Sequence, residues 1–150
     1  MKWLKRFILV VLAAVGLGFL LFGAAAPTAV PSGFVIVNYW EKWVGPEAEQ
    51  MQLIVNDFNN SVGKEKHIFV RFLSVSNIDQ KTLVATAAGV PPDIAGLWDQ
   101  QVSQYAALGA VQPLDELAKA QGITEQTYLP VYWNGCKYDG QLYAMVSTPA

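Results

Sequence analysis

Cysteine and histidine are nearly absent from the chain, which has one of each among 150 residues. The lone Cys136 excludes an internal disulfide, and it lies too far from the N-terminus to serve as a lipid-attachment residue there. We expect it to be a buried thiol. His67 has no Cys or His neighbour at metal-ligand spacing, and no phosphate-binding, dinucleotide-binding, serine-hydrolase or zinc-protease motif occurs. The sequence therefore predicts neither a metal site nor a cofactor.

Charged residues are also scarce, and the basic ones are unevenly placed. The chain has 10 Lys and Arg against 12 Asp and Glu. Three of the basic residues are Lys2, Lys5 and Arg6, which leaves 7 basic and 12 acidic residues beyond residue 26. An acidic balance of this size argues against nucleic acid and against anionic lipid surfaces as partners.

The basic N-terminus is followed by an uncharged apolar segment over residues 7–26. This pattern predicts either a signal peptide or a retained membrane anchor over residues 1–26, through which the chain contacts the membrane. Ala24–Ala26 resembles a cleavage site, but Pro27 would hinder the peptidase, so both alternatives stay open. Either one places the chain from about residue 30 outside the cytoplasm. Residues 27–33, rich in proline and small residues, form a linker.

Strand and helix signals alternate along the rest of the chain, residues 34–150. Short β-branched and aromatic runs predict strands over residues 34–39, 67–75, 93–98 and 141–146. Amphipathic periodicity, prolines and closing glycines predict helices over residues 46–58, 80–88, 101–108, 114–120 and 128–136. This alternation is typical of an α/β fold with a mostly parallel, doubly wound sheet and helices on both of its faces.

A tryptophan followed by a carboxylate stands at the predicted carboxyl end of two strands, as Trp40-Glu41 and as Trp98-Asp99. Ligands of such sheets bind at this edge. An indole covers the C–H face of a sugar, and a carboxylate accepts hydrogen bonds from its hydroxyls, so the four residues are candidate ligand contacts. The indoles could instead seal the sheet end, and the carboxylates could be solvated charges or helix caps. Glu41 and Asp99 also permit a second hypothesis, a secreted carbohydrate-active hydrolase.

Four stretches resemble the extracellular solute-binding proteins of ABC importers, in the sugar-binding group with maltose- and glycerol-phosphate-type receptors. They are VNYWEKWVGPEAEQMQLIVNDFNNS, KTLVATAAGVPPDIAGLWDQ, YAALGAVQPLDELAKAQGI and YWNGCKYDGQLYAMVSTPA. The specific features are the helix ending Ala-Ala-Gly before Pro-Asp-Ile, and the later Gly-Ala-x-x-Pro-Leu-Asp before a short helix. Tyr-Asp-Gly-Gln-Leu-Tyr-Ala also resembles the family's usual turn and strand. The resemblance runs from about residue 33 to residue 150.

The resemblance implies a periplasmic-binding-protein-like lobe of a two-lobed receptor. Such a receptor closes on a sugar or oligosaccharide and presents it to the membrane subunits of an ABC permease, with no chemistry of its own. Loops after the first and third strands contact the sugar in that family, which here matches Trp40, Glu41, Trp98 and Asp99. Because members are usually more than twice this length, we expect the chain to be the first part of the N-terminal lobe, with the second lobe missing. A non-functional truncated fragment is the remaining alternative.

Overall fold

The structure is a computed structural model that describes residues 30–147. Its centre is a parallel sheet of three strands, β1 (Val35–Glu41), β2 (Ile68–Ser74) and β3 (Ile94–Gly96). The strand order is β2-β1-β3, so the chain moves to one side of β1 and then returns to the other side. Right-handed crossovers with this order place the two connecting helical segments on opposite faces of the sheet.

Two helices follow β1, namely α1 (Pro46–Asn60) and the short α2 (Val62–Glu65). Pro46 occupies the start of α1, as predicted, because proline lacks an N–H that would be unpaired there. The predicted apolar stripe of α1 is only partly correct. Val55 is buried and Phe58 is half-buried, whereas Ile54 is exposed.

An asparagine of α1 protects the outer edge of the sheet. The side-chain amide of Asn59 donates to the carbonyl of Val70 at 2.9 Å and accepts from the N–H of Val70 at 2.8 Å. Strand β2 is the outer strand on that side, and its free backbone groups would otherwise need water or another strand. The polar end of an amphipathic helix therefore closes part of the edge.

Helix α3 (Ile78–Ala87) follows β2, and the segment after β3 begins with a 3₁₀ turn (Asp99–Gln101) that continues into α4 (Val102–Ala107). These helices agree with the sequence-based prediction to within two residues at each end. The hydroxyl of Tyr105 on α4 donates to the carbonyl of Asp79 on α3 at 2.6 Å. This buried tyrosine thereby joins the two helical segments.

The C-terminal part differs from the prediction. Helix α5 (Asp115–Ala120), a 3₁₀ turn (Glu125–Thr127) and α6 (Pro130–Gly135) lead into an antiparallel pair of two-residue strands, β4 (Lys137–Tyr138) and β5 (Gln141–Leu142). The predicted fourth parallel strand over residues 141–146 is therefore wrong. The turn at Asp139-Gly140, where both residues have positive φ, favours local hairpin pairing over pairing with the sheet.

A small core, which we call the hairpin cluster, forms around this antiparallel pair. Its buried members are Ala118, Cys136 and Leu142, and partly buried apolar side chains pack against them: Leu114, Ile123, Trp133, Ala144, Met145 and Val146. The start of α5 is tied to the same place, because the N–H of Leu114 donates to the carbonyl of Leu142 at 2.7 Å. The Pro-Leu-Asp stretch therefore fastens α5 to the hairpin.

The predicted signal or anchor over residues 1–26 lies outside the described residues, as does the first part of the predicted linker. Between residues 30 and 147, no helix has the length and apolar character that crossing a bilayer requires.

Candidate functional site

The strand order predicts a ligand-binding crevice at the carboxyl ends of β1 and β3. In an open parallel sheet of order 2-1-3, the connections after the first and third strands leave in opposite directions, and ligands bind between them. Here β1 and β3 are adjacent, and their last residues, Glu41 and Gly96, are register partners. Lys42 and Trp43 directly follow β1, and Trp98 follows β3 after Leu97. We call the edge that carries Lys42, Trp43 and Trp98 the rim.

Strand β1 continues to Glu41, beyond the predicted end at Tyr39, so Trp40 and Glu41, two of the predicted ligand contacts, belong to the strand. Successive side chains of a strand point to opposite faces, which separates Trp40 from Glu41. Trp40 is half-buried on the face opposite to Tyr39 and Glu41. Trp40 and Glu41 therefore lie on opposite faces of the sheet, because the parallel pairing with β2 and β3 keeps both residues extended.

Glu41 is completely buried, with 0% of its surface exposed, yet both of its carboxylate oxygens have partners. The Tyr39 hydroxyl donates to Oε2 at 2.5 Å, and the backbone N–H of Lys42 donates to Oε1 at 2.8 Å. The Lys42 ammonium lies 3.5 Å from Oε1. Burial of Tyr39, its hydrogen bond to Glu41 and the Glu41 charge all raise the pKa of the Tyr39 hydroxyl. A buried charge with this set of partners is compensated within the chain.

Gly96 makes this burial possible. The Glu41 carboxylate lies directly over the Gly96 backbone on the neighbouring strand, where any Cβ at residue 96 would overlap the carboxylate carbon and both of its oxygens. A glycine in a strand is typical of such a close approach. The Ala-Gly ending of β3 thus provides space for a charged side chain of β1.

Lys42 connects the two sides of the crevice. Its Nζ lies 4.4 Å from the centroid of the Trp43 ring and 4.8 Å from the centroid of the Trp98 ring. Both distances are within the range of cation–π attraction. Lys42 is itself largely buried, with 12% of its side chain exposed, whereas Trp98 is 44% exposed. The rim therefore presents an indole to solvent, with an ammonium held against it.

Trp98 and Asp99 stand where extended chain becomes helical. The N–H of Trp98 donates to the Gln101 side chain at 3.2 Å, and the N–H of Gln100 donates to Asp99 Oδ1 at 2.8 Å. Asp99 is exposed and is the first residue of the 3₁₀ turn, but neither this turn nor α4 has a side-chain cap, so the predicted capping alternative for Asp99 is wrong. Asp99 lies close to the hairpin cluster, because a Cβ at Gly135 would be 4.0 Å from Asp99 Oδ2. Burial raises the pKa of the Cys136 thiol, and the Asp99 charge raises it further.

The arrangement brings together some predicted residues and adds others. Glu41 and Trp98 are joined through Lys42, and Asp99 follows Trp98, while Trp40 lies on the other face. Sequence analysis missed Tyr39 and Gly96 as supports and Lys42 as the link. The alternation of side chains along β1 was the available signal for Tyr39, because it places residues 39 and 41 on one face. Within the described range, no group of three or more His, Cys, Asp or Glu could hold a metal ion.

No protein-family model matches the chain, and no curated protein matches its sequence. Solved structures do match. CpMnBP1 with mannotriose bound is 27% identical with a TM-score of 0.64, over 73% of this chain and 27% of that protein. The sugar-binding protein MalE from the phytopathogen Xanthomonas citri is 26% identical with a TM-score of 0.63, over the same shares. The ABC substrate-binding protein Lmo0181 from Listeria monocytogenes, in complex with cycloalternan, is 21% identical with a TM-score of 0.61.

These matches define the class of fold as that of the periplasmic binding proteins, built here on a parallel sheet. The chain resembles the sugar-binding solute-binding proteins of ABC importers, which confirms the resemblance predicted from its sequence. It spans about a quarter of the length of the proteins that it matches.

Proposed function

We propose that the chain contributes the first lobe of an extracytoplasmic receptor, which captures a neutral sugar or oligosaccharide and delivers it to an ABC permease. The observation that carries this proposal is the exposed indole of Trp98, at the crevice between β1 and β3 and directly before the exposed Asp99. Two structural neighbours above 25% identity are a protein with mannotriose bound and a protein described as sugar-binding.

The chemistry of the rim suits such a ligand. The Trp98 indole covers the C–H face of a sugar ring and removes a large apolar area from water. The Asp99 carboxylate accepts hydrogen bonds from hydroxyls at the edge of the ring, and bonds to a charged acceptor are the stronger kind. Glu41 does not reach solvent, so in this proposal it supports the rim rather than contacting the sugar.

The geometry does not favour the hydrolase hypothesis that the pair Glu41 and Asp99 suggested. A hydrolytic carboxylate must reach a glycosidic oxygen or a water molecule. The Glu41 oxygens instead accept from Tyr39 and Lys42 within a fully buried site. The similar proteins are described as binding proteins, which agrees with a role without catalysis.

Sugar binding is tested by titrating the chain with mannotriose and maltotriose while recording the tryptophan side-chain N–H signals by NMR. We expect saturable shifts at Trp98, with a dissociation constant on the order of 1 mM because one lobe supplies one wall of a cleft. Trp98→Ala should abolish the response and Asp99→Asn should weaken it. Tyr138→Ala removes an aromatic ring of comparable exposure from the hairpin and serves as the matched control.

The proposal fails if neither sugar shifts the Trp98 signal up to its solubility limit. It also fails if the Trp98→Ala variant binds as well as the parent chain does. Release of reducing ends from either oligosaccharide by the parent chain, lost in Glu41→Gln, would instead support the hydrolase.

Export is tested separately, by following the chain with a C-terminal tag in bacterial cells. A tag that external protease removes from spheroplasts, but not from spheroplasts producing a chain without residues 1–26, supports the extracytoplasmic location. A tag protected in both cases contradicts it.

A further inference from the structure

Lys42 occupies an unusual position, because it contacts groups from both strands that border the crevice. Its ammonium lies 3.5 Å from Glu41 Oε1 and within cation–π distance of two indoles. Trp43 belongs to the connection after β1, and Trp98 belongs to the connection after β3. The two connections diverge at the crevice, so a group that attracts both indoles holds the two sides of the rim together.

The Lys42 ammonium is held by the Glu41 carboxylate, which is itself fixed by hydrogen bonds. The Tyr39 hydroxyl and the Lys42 N–H each hold one oxygen of the Glu41 carboxylate. Gly96 lets that carboxylate lie against the backbone of β3, so its position is set by both strands. Electrostatic attraction is stronger in a buried, water-poor site than at a solvated surface. The chain of contacts therefore runs from Tyr39 through Glu41 and Lys42 to the exposed indole.

We propose that Lys42 is a positioning residue, which holds the Trp98 ring in the orientation that meets the ligand. The Lys42 ammonium lies over the indole, and 44% of the surface of Trp98 remains exposed to a sugar ring. A rim that is ordered before binding loses less side-chain entropy when the ligand arrives, and its affinity is correspondingly higher. Only the identity of the ligand in this inference depends on the proposed function; the positioning itself is a property of the unliganded chain.

The first test uses the parent chain alone. Ring currents of two nearby indoles shift protons above them upfield, so the ε-methylene protons of Lys42 should resonate upfield of those of exposed lysines such as Lys64 and Lys119. The shift should diminish in Trp98→Ala. A Lys42 ε-methylene signal at the position of an exposed lysine would overturn the proposal, whatever the behaviour of any variant.

The second test compares substitutions of Lys42 in the absence of sugar. Lys42→Met keeps the length of the side chain and removes the charge, so the Trp98 indole N–H signal should move and the ring should become more accessible to acrylamide. Lys42→Arg keeps a cation that also lies over indoles and should restore both readouts. A Trp98 signal and accessibility unchanged in a folded Lys42→Met chain would contradict the positioning role.

Lys137 provides the matched control. Its Nζ lies 5.2 Å from the centroid of the Trp133 ring, which packs against the hairpin cluster. Lys137→Met removes the same charge by the same change, and should alter the Trp133 signal but leave Trp98 untouched. A Trp98 response to Lys137→Met as large as that to Lys42→Met would show a general electrostatic effect and overturn the specific one.

The third test separates this inference from the proposed function. If the parent chain binds mannotriose, Lys42→Met should weaken binding about three- to tenfold and Lys42→Arg should recover most of the loss. Unchanged affinity in Lys42→Met would refute the contribution to binding. If the parent chain binds no sugar, the proposed function fails while the first two tests still decide whether Lys42 orients Trp98.

Discussion

Around the C-terminal hairpin, apolar side chains pack together and are buried, whereas in the three strands of the sheet many apolar side chains are exposed. Leu142 has 1% of its surface exposed, and it packs with Ala118 and Cys136. In the three strands the only buried side chain is that of the charged Glu41, and the exposed apolar side chains are Val35, Ile36, Leu73 and Ile94. The flanking helices do bury apolar side chains, among them Val55, Ile78 and Tyr105.

The difference has a topological cause. The hairpin cluster is assembled from segments close in sequence, residues 114–146, and a two-residue turn is enough to bring its strands together. A parallel sheet needs a helical crossover for each strand, and the last residues of the strands line its end. Here these last residues are Glu41 and Gly96, and the ion pair between Glu41 and Lys42 organises the rim. The hairpin cluster contributes stability locally, and the rim specifies the position of an exposed ring.

The contrast between the hairpin cluster and the sheet requires that the hairpin cluster is a true core. Leu142→Ala removes its most buried side chain and should lower the free energy of unfolding by about 2–5 kcal/mol, because a cavity adds to the lost burial. Leu117→Ala, on α5 but 57% exposed, is the matched control and should cost less than about 1 kcal/mol. Urea denaturation measures both. Equal losses would mean that the hairpin cluster carries no special share of the stability.

The dependence of the rim on close approach is tested by adding one methyl group. Gly96→Ala forces a Cβ into the Glu41 carboxylate and should cost about 1–3 kcal/mol, measured by thermal unfolding. Gly135→Ala, where the nearest side-chain atom would lie 4.0 Å away, should be tolerated. The double variant Gly96→Ala/Glu41→Ala should recover part of the loss. A tolerated Gly96→Ala would refute the buried position of Glu41.

Alkaline pH should destabilise the sheet through Tyr39. The pKa of its hydroxyl is raised in the folded chain, so the stability that it contributes is fully present below the ordinary tyrosine pKa of 10.0. As pH rises beyond that value, the unfolded chain loses the proton first and stability falls. The slope is at most about 1.4 kcal/mol per pH unit, and less because the ring is only half-buried.

Unfolding curves at pH 8, 10 and 11 measure this effect, with Tyr39→Phe as the comparison because it lacks the titrating proton. The loss between the lowest and highest pH should be smaller in Tyr39→Phe than in the parent chain. Parallel curves for the two chains would contradict the shifted titration.

The smallest effect is expected where the sheet region exposes apolar surface. Leu53 on α1 is 58% exposed, so Leu53→Gln should change the free energy of unfolding by less than about 0.5 kcal/mol. It should nevertheless lower binding of the dye ANS, which reports exposed apolar surface. A large loss of stability would show that this surface is covered in solution, and would remove the contrast with the hairpin cluster.

Much of the architecture follows from local signals. The parallel arrangement, the position of three strands and the start of α1 at Pro46 were all predictable, because apolar runs, helical periodicity and proline each act within a few residues. The error at residues 141–146 has a similar explanation. An apolar run fits both a buried strand and a core segment, and only tertiary contacts decided that Tyr143 to Val146 pack beside the hairpin.

Some positions in the candidate site could likewise be predicted from the sequence, and others could not. The position of Trp98 and Asp99 at the end of the third strand could be predicted, since the strand and its place in the alternating pattern are visible in the sequence. That Trp40 lies on the other face depends on how far β1 remains paired with its neighbours. The ligand contacts of Trp40, Glu41, Trp98 and Asp99 stay predictions until the titrations are done.

The sequence by itself determined the class of fold, the resemblance to sugar-binding receptors and the presence of a tryptophan and a carboxylate at the end of one strand and after another. Those properties depend on periodicity and on short motifs. Only the tertiary structure decided that Glu41 is buried against Gly96 and that Lys42 stands between Trp43 and Trp98. The contacts of Glu41 with Gly96 and of Lys42 with Trp98 join residues more than fifty positions apart. The register between two parallel strands brings them together, and no local pattern contains this register.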